Sequence, residues 1–518
     1  MAAPTIQLPP PTAPHAPRAI HADVCARALD ARDARFDGLF FVGIITTRVY
    51  CRPVCPARVS YREHRRFFES AAAAEHAGFR PCLRCRPELA PGRALIDAVP
   101  RLADAAAQRI GAGALNGHSV ADLARELGVS DRHLRRALER ALGVSPVELA
   151  QTHRLLLAKR LLSDTGLSVT RVAFASGFQS LRRFNAAFRE QYRMPPSALR
   201  RAPAASRAAR DPRAEGTAPA RDLLRLTLAY RAPLAWDVLL GLLRRDAIPG
   251  VDIMEGQRYG RTVQLEGRSG VVFAEDAAAP ASDGAPAAAH LNVDVSPSLV
   301  PVLMPLLARL RRLFDLDAEP AAIDAHLAQG GLGALVTRWP GVRIPGALCG
   351  WEVALRLLLR GRPWPGAVTT DLARRVVSAL GESIDTGVPA LTRLAPSAER
   401  VAEAGAARLE ALGVPRGRAD AIATVARVVA GGTLRLEPGG DTAGTRRALL
   451  EIEGIGDRLA TTIVMRALYW PDALPVSDRL LQRAAGVSGA AELLACAERW
   501  RPWRAYAALH LWLQGEAR

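Results

Sequence analysis

No stretch of this chain stays apolar over the length a membrane span needs, about 20 residues. Met1 to Pro17 is rich in Pro and Ala and lacks the charged start and apolar core of a secretory signal, so 1–29 reads as a disordered leader. Cysteine is scarce, with seven in 518 residues, and Cys25, Cys349 and Cys496 are scattered. An odd, sparse set argues against a disulfide scaffold and for a reducing, cytoplasmic setting. Acidic residues are outnumbered, 51 Asp and Glu against 69 Lys and Arg, which gives a formal net charge of +18 and a pI near 10.7. That imbalance does not choose a fold, but it favours nucleic acid or another polyanion as partner. An Arg- and Ala-rich composition of the whole chain is the alternative source of the charge. The length calls for several domains.

The other four cysteines are concentrated. Cys51 and Cys55 stand in Cys-Arg-Pro-Val-Cys, Cys82 and Cys85 in Cys-Leu-Arg-Cys, with 26 residues between the pairs and arginines throughout, from Arg48 to Arg86. Two close pairs of thiolates suit one tetrahedral Zn2+. Zinc keeps a bound thiol deprotonated, so the same four residues admit two readings: a purely structural site, or a site in which one sulfur is also a nucleophile. Spacing does not separate them. Phe36 to Tyr50, rich in β-branched and aromatic residues, predicts strands, and Ser70 to Ala77 predicts a short helix, within a small α+β domain over 30–92.

Residues 98–200 carry two related units, Ser119 to Leu142 and Ser168 to Tyr192. Each opens with Ser-Val, runs through a short apolar helix, turns at Gly128 or Gly177, and restarts as a basic helix. That is the pattern of a tandem helix-turn-helix. An ordinary helical hairpin is the plain alternative. Arg132, Arg135 and Arg136 in the first unit, and Gln179, Arg182, Arg183 and Asn185 in the second, favour DNA contact.

Residues 201–220 form a low-complexity linker. Leu223 to Tyr230, Gly260 to Ala274 and Leu291 to Val295 alternate like strands, with a loop over Ala277 to Ala289, so 221–296 is expected to be a small antiparallel sheet domain. The remainder, 297–518, reads as a helical bundle. Within it Gly454-Ile455-Gly456 joins two helical stretches, and Asp478 follows 22 residues later. Glycines there allow close backbone approach, and amides at the next helix start can grip a phosphate. A plain helical turn, and a helix N-cap for Asp478, are the structural alternatives. The fold class is therefore multidomain and mainly α.

Three resemblances organise these motifs. FDGLFFVGIITTRVYCRPVCPAR with GFRPCLRCRPE resembles the N-terminal metal-binding domain of the Ada alkylation-response family. That implies Cys51, Cys55, Cys82 and Cys85 as zinc ligands, and Cys51 as acceptor of a methyl group from a methylated DNA phosphate. The run from Gly177 to Ser180, with Arg183-Phe184-Asn185 and Pro195-Pro196, resembles AraC-type DNA-binding domains. It implies promoter binding, transcription activation and contact with RNA polymerase. No Pro-Cys-His-Arg acceptor site is found, so repair of O6-alkylated guanine is not expected.

LEIEGIGDRLATTIVMRAL, RRLFDL, GVRIPG and ERWRPWRAYAALHLW resemble the AlkA branch of the helix-hairpin-helix DNA glycosylases. This implies excision of alkylated bases such as 3-methyladenine. Asp478 would be the catalytic carboxylate, Gly454 and Gly456 would grip phosphate, Trp512 would belong to the base pocket, and the hairpin would hold a monovalent cation. The other family pocket positions hold Arg458, Thr462 and Arg479, and the wedge segment reads Arg360 to Pro365, with Trp364 as the wedge. An arginine beside a cationic base repels it, so base selection is expected to be altered. The resemblances together imply a bacterial, nucleoid-associated protein acting on double-stranded DNA, both alkylated and promoter, with no membrane association. Tandem units suffice for a monomer. The alternative is a transcriptional regulator whose glycosylase module is degenerate and non-catalytic.

Overall fold

The structure is a computed structural model that describes residues 22–57, 61–91, 101–201, 223–277, 289–361 and 371–516. Of the expected leader, 1–21 lies outside the described residues, but Ala22–Asp30 is a helix. The expectation of disorder across 1–29 is corrected there. Cys25 and Ala28 bury against Phe40, and Leu29 joins the four cysteines, so one apolar stripe docks the helix onto the metal domain.

That domain holds β1 (Phe41–Ile44), β2 (Val49–Cys51), β3 (Arg65–Phe68) and β4 (Arg80–Pro81), in the order β3-β1-β2-β4. The parallel pairing of β2 with β4 aligns Val49 with Arg80 and Tyr50 with Pro81, and so sets Cys51 beside Cys82. The expected short helix is Ala71–His76, capped by Ser70, whose hydroxyl accepts from the Ala73 amide at 3.0 Å.

Both expected helix-turn-helix units are present. Val120–Glu126 and Asp131–Leu142 form the first, Val169–Ala175 and Leu181–Tyr192 the second, and Pro146–Asp164 joins them. Serines cap the helices at Ser119, Ser130, Ser168 and Ser180. Gly128 and Gly177 turn with φ of 69° and 87°, a left-handed conformation that explains the glycines. A Cβ on Gly177 would also strike the Asn116 side chain at 2.3 Å. The two basic helices bury matching positions, Leu134 and Leu138 in one, Phe184 and Phe188 in the other.

The linker 201–220 falls outside the described residues beyond Arg201, as does 278–288 of the expected loop. The sheet beyond them contains β5 (Leu224–Ala229), β6 (Asp252–Glu255), β7 (Arg258–Leu265), β8 (Arg268–Asp276) and β9 (His290–Val295). It is antiparallel, in the order β5-β9-β8-β7-β6. A helix the sequence reading missed, Trp236–Asp246, lies between β5 and β6; Trp236, Leu239, Leu240 and Leu243 recur at helical spacing and are buried. One apolar cluster runs from Phe178, Phe184 and Phe188 of the second unit into Leu226, Val293 and Leu303, so this unit and the sheet domain share a core.

The chain beyond 297 is helical, as expected, through to Arg504–Glu516. Its core contains buried ion pairs: Arg360 and Arg466 converge on Asp246 at 2.7 and 2.5 Å, and Arg261 and Arg356 on Glu352 at 2.5 Å. With every charge of each set facing one of opposite sign, their burial is tolerated. No helix among the described residues is long and apolar enough to cross a membrane.

Candidate functional sites

The ligand atoms of Cys51, Cys55, Cys82 and Cys85 all lie within 4.8 Å of one another, and all four residues are buried. Four sulfurs at the Zn–S bond length of a tetrahedral site would stand about 3.8 Å apart, so the donor set fits one zinc ion. The Arg52 and Arg84 amides each donate to a sulfur, of Cys85 and Cys82, at 3.4 Å. These donors orient the sulfurs and soften their negative charge. Such close thiols do not titrate singly: hydrogen bonds from Cys51, Cys55 and Cys85 hold Cys82 below the usual thiol range, while the same network pushes Cys51 up. At 9% exposure Cys51 is the most open of the four.

The arginine jacket divides in two. Arg52 donates to Asp37 at 2.8 Å, Arg65 pairs with Asp30, and Arg86 bridges Glu88 and Asp164. Arg52 and Arg65 build the domain, and Arg86 also ties it to the Pro146–Asp164 helix. Arg48, Arg66 and Arg84 are exposed, and Arg58 lies outside the described residues. The sequence reading missed a buried clamp behind the metal site. Lys159 of the joining helix reaches Glu88 at 2.5 Å and the Cys82 carbonyl at 3.1 Å. A second link runs from Tyr50 to Glu75 (2.9 Å) and from Thr152 to Glu75 (2.7 Å). No motif signals either contact, because the partners are far apart in sequence.

On the helix-turn-helix units, Arg132, Arg136, Gln179, Arg182 and Arg183 are exposed, and Asn185 is half-buried. Arg135 pairs with Asp131 at 2.9 Å. These side chains sit on the second helix of each unit or just before it.

In the helical body, Thr442–Leu450 and Asp457–Ala467 form the hairpin arms. Gly454 has φ of +86°, and Gly456 precedes the second arm with no side chain capping it and open space above it. The hairpin opens on a cavity of about 650 Å³ that Asp478 also lines. Asp478 is 2% exposed. Its Oδ1 accepts from the Leu481 amide at 2.9 Å, capping Arg479–Ala484. Its Oδ2 is buried without a hydrogen-bond partner. Asp478 is thus a helix N-cap through one oxygen, while the other is left without the partner a buried polar atom ordinarily has.

Arg458 and Arg479 also line this cavity, whereas Thr462 is buried and donates to the Arg458 carbonyl at 2.7 Å. Two lining arginines, Arg418 and Arg483, were not foreseen; Arg418 is remote in sequence from the hairpin motif, and Arg483 lies one turn beyond Arg479 on the helix that Asp478 caps. Trp512 is 0% exposed within the helical core and is not among the residues of this cavity's wall; the Arg504–Glu516 helix turns its ring inward. Trp364 lies outside the described residues, and of the wedge segment only Arg360 and Gly361 are described.

Comparison with known proteins follows the same division. Residues 24–88 match the metal-binding domain of Ada, 123–202 a helix-turn-helix domain, and 225–349 the AlkA N-terminal domain. The chain is 37% identical over 493 residues to the probable bifunctional transcriptional activator/DNA repair enzyme AlkA of Mycobacterium tuberculosis, covering 94% of this chain and 95% of that protein. It is 33% identical to DNA-3-methyladenine glycosylase 2 of Escherichia coli over 55% of this chain and 96% of that one. It is 33% identical to the bifunctional transcriptional activator/DNA repair enzyme Ada of Escherichia coli over 29% of this chain and 40% of that one.

Proposed function

The chain belongs to the family of bifunctional transcriptional activator/DNA repair enzymes of the AlkA type, and from that premise we propose how its sites divide the work. It is a DNA-binding, zinc-binding alkylation-response protein that joins a methyl-accepting activator to a DNA glycosylase.

Cys51 is the acceptor. Its sulfur bonds to the methyl carbon of a methylated DNA phosphate as the methyl C–O bond breaks, which leaves an ordinary phosphodiester and a thioether. Bound zinc would supply the positive charge that keeps the four sulfurs deprotonated at neutral pH. Methylation removes one negative charge from the sulfur set. A unit charge 4 Å from a phosphate is worth about 1 kcal/mol in water and several times more in a drier interface, so relief of that repulsion raises DNA affinity. Arg132, Arg136, Arg182 and Arg183 then hold the promoter, two tandem units allow a monomer to span successive grooves, and RNA polymerase is the partner recruited.

Asp478 supports base excision. A damaged nucleotide flips out of the duplex into the cavity, the hairpin backbone at Gly454 and Gly456 grips a neighbouring phosphate, and the carboxylate stabilises the cationic sugar and orients water. The observation that carries this reading is the unpartnered, buried Oδ2 of Asp478 at the wall of the hairpin cavity. The test is release of free base from duplexes bearing 3-methyladenine, 7-methylguanine or O2-methylthymine. At least one is released, and Asp478→Asn, with its helix cap retained, abolishes the release. Equal release by the variant removes Asp478 from the chemistry. The arginine-lined wall motivates a second reading, a regulator with a non-catalytic clamp; no release of any lesion with DNA binding intact would favour it.

A further inference from the structure

The charge of the Asp478 cavity is unbalanced. Arg418, Arg458, Arg479 and Arg483 line it, against two carboxylates, Asp457 and Asp478. Asp457 is already engaged: it pairs with Arg446 and accepts from the Ser477 amide at 3.3 Å. Burial raises its pKa, but the hydrogen bonds from Arg446 and Ser477 outweigh that and hold the carboxyl below its ordinary value. Arg418 donates to the Leu359 carbonyl at 3.2 Å, which leaves its charge in place. No aromatic ring is among the described residues of the wall.

The charge of a leaving base decides what such a wall does. An N-alkylated purine, such as 7-methylguanine, carries a positive charge in the nucleotide and departs neutral. Stacked aromatic faces favour that cation, and guanidinium groups repel it. An uncharged base departs as an anion. Its bond to C1′ breaks with the electron pair going to the base, water adds to C1′, and the proton released by that water ends on the departed base. Guanidinium donors aimed at a carbonyl oxygen or ring nitrogen of that base bind it before the reaction and bind it more tightly as negative charge develops, the condition for transition-state stabilisation.

We propose that Arg458 and Arg479, which flank the hairpin turn and the catalytic carboxylate in sequence, set specificity for uncharged damaged bases with acceptor atoms on their edge, such as O2-alkylated pyrimidines, over cationic N-alkylpurines. This rests on the reading of Asp478 as the base-excision carboxylate. Arg479 is exposed and Arg458 half-buried, so both can be replaced without opening the core.

The experiment uses the full chain and single-lesion duplexes of one sequence carrying O2-methylthymine, hypoxanthine or 7-methylguanine. Single-turnover release is divided by the spontaneous rate of each lesion, because 7-methylguanine is intrinsically labile. The wild type is expected to give the larger enhancement on the two uncharged bases. Arg458→Gln and Arg479→Gln each lower that enhancement about tenfold and leave or raise that on 7-methylguanine, so the ratio between lesion classes moves. A wild type that favours 7-methylguanine overturns the proposal and leaves the role of Asp478 standing. Variants that weaken binding to undamaged duplex and keep the ratio also overturn it, since the arginines would then be phosphate contacts. Release of no lesion overturns both this proposal and the base-excision reading.

Discussion

Replacing Lys159 with methionine should loosen the metal half of the protein far more than a typical surface substitution. Lys159 is the single lysine among 69 basic residues of the chain, and its side chain is 1% exposed. It holds Glu88, itself 2% exposed, at 2.5 Å, and the carbonyl of the metal ligand Cys82 at 3.1 Å. In Lys159→Met the buried Glu88 carboxylate keeps one charged partner, Arg86 at 3.0 Å. Removing one member of a buried pair costs about 3–5 kcal/mol, and the residual contact with Arg86 puts the expected loss near about 3 kcal/mol, or roughly 150-fold in the folding equilibrium. Removing both charges in Lys159→Met/Glu88→Gln should recover about half of that, because no orphaned charge remains. Lys159→Arg should not rescue, since a planar five-donor fork does not fit a site built for a compact ammonium. The assay is urea-driven zinc release, followed with a chromophoric chelator. All eight tryptophans lie beyond residue 235, so their fluorescence follows the glycosylase half in the same sample. The zinc midpoint should fall while the fluorescence midpoint moves less. A change below about 1 kcal/mol in Lys159→Met, or a double variant as unstable as the single one, would refute this account of the clamp.

Glu75 supplies a pH test: burial lifts its pKa from 4.5 to about 7, despite opposing hydrogen bonds from Thr152 and Tyr50. The folded state therefore holds the proton more tightly than the unfolded chain, its contribution is fullest below about pH 4.5, and stability declines as pH rises through about 7; Glu75→Gln should flatten that part of the denaturation profile. Gly454→Ala forces a side chain into a left-handed residue and sets its Cβ 3.3 Å from the Gly417 carbonyl, so calorimetry should show about 1–2 kcal/mol lost, with weaker binding to lesion-bearing duplex. Alanine at Arg182 or Arg183 should reduce the slope of log affinity against log salt by about 0.9 for each phosphate contact removed, measured by titration of promoter DNA; an unchanged slope would take that residue out of the interface.

Local chemistry made much of this molecule readable from the chain. The cysteine pairs, the short helices of the two helix-turn-helix units and the glycines at their turns each depend on neighbours within a few residues, and the structure placed them as expected. The helix at Ala22–Asp30 escaped notice because a short amphipathic stripe behind a Pro-rich stretch reads as leader until Phe40 is there to cover it. Trp236–Asp246 was overlooked because its helical spacing sits among strands.

What the sequence by itself determined was the four-cysteine frame, the two helix-turn-helix units and the Gly-Ile-Gly turn, because spacing and local turns carry that information; the roles proposed for Cys51 and Asp478 rest on resemblance to known families. What only the tertiary structure decided was the surroundings of those groups. Packing turned Trp512 into the core, brought Arg418 to the wall beside Asp478, left one carboxylate oxygen unbonded, and set Lys159 against Glu88 across 71 residues. Each of those outcomes depends on burial and charge pairing between distant segments, which no local pattern encodes.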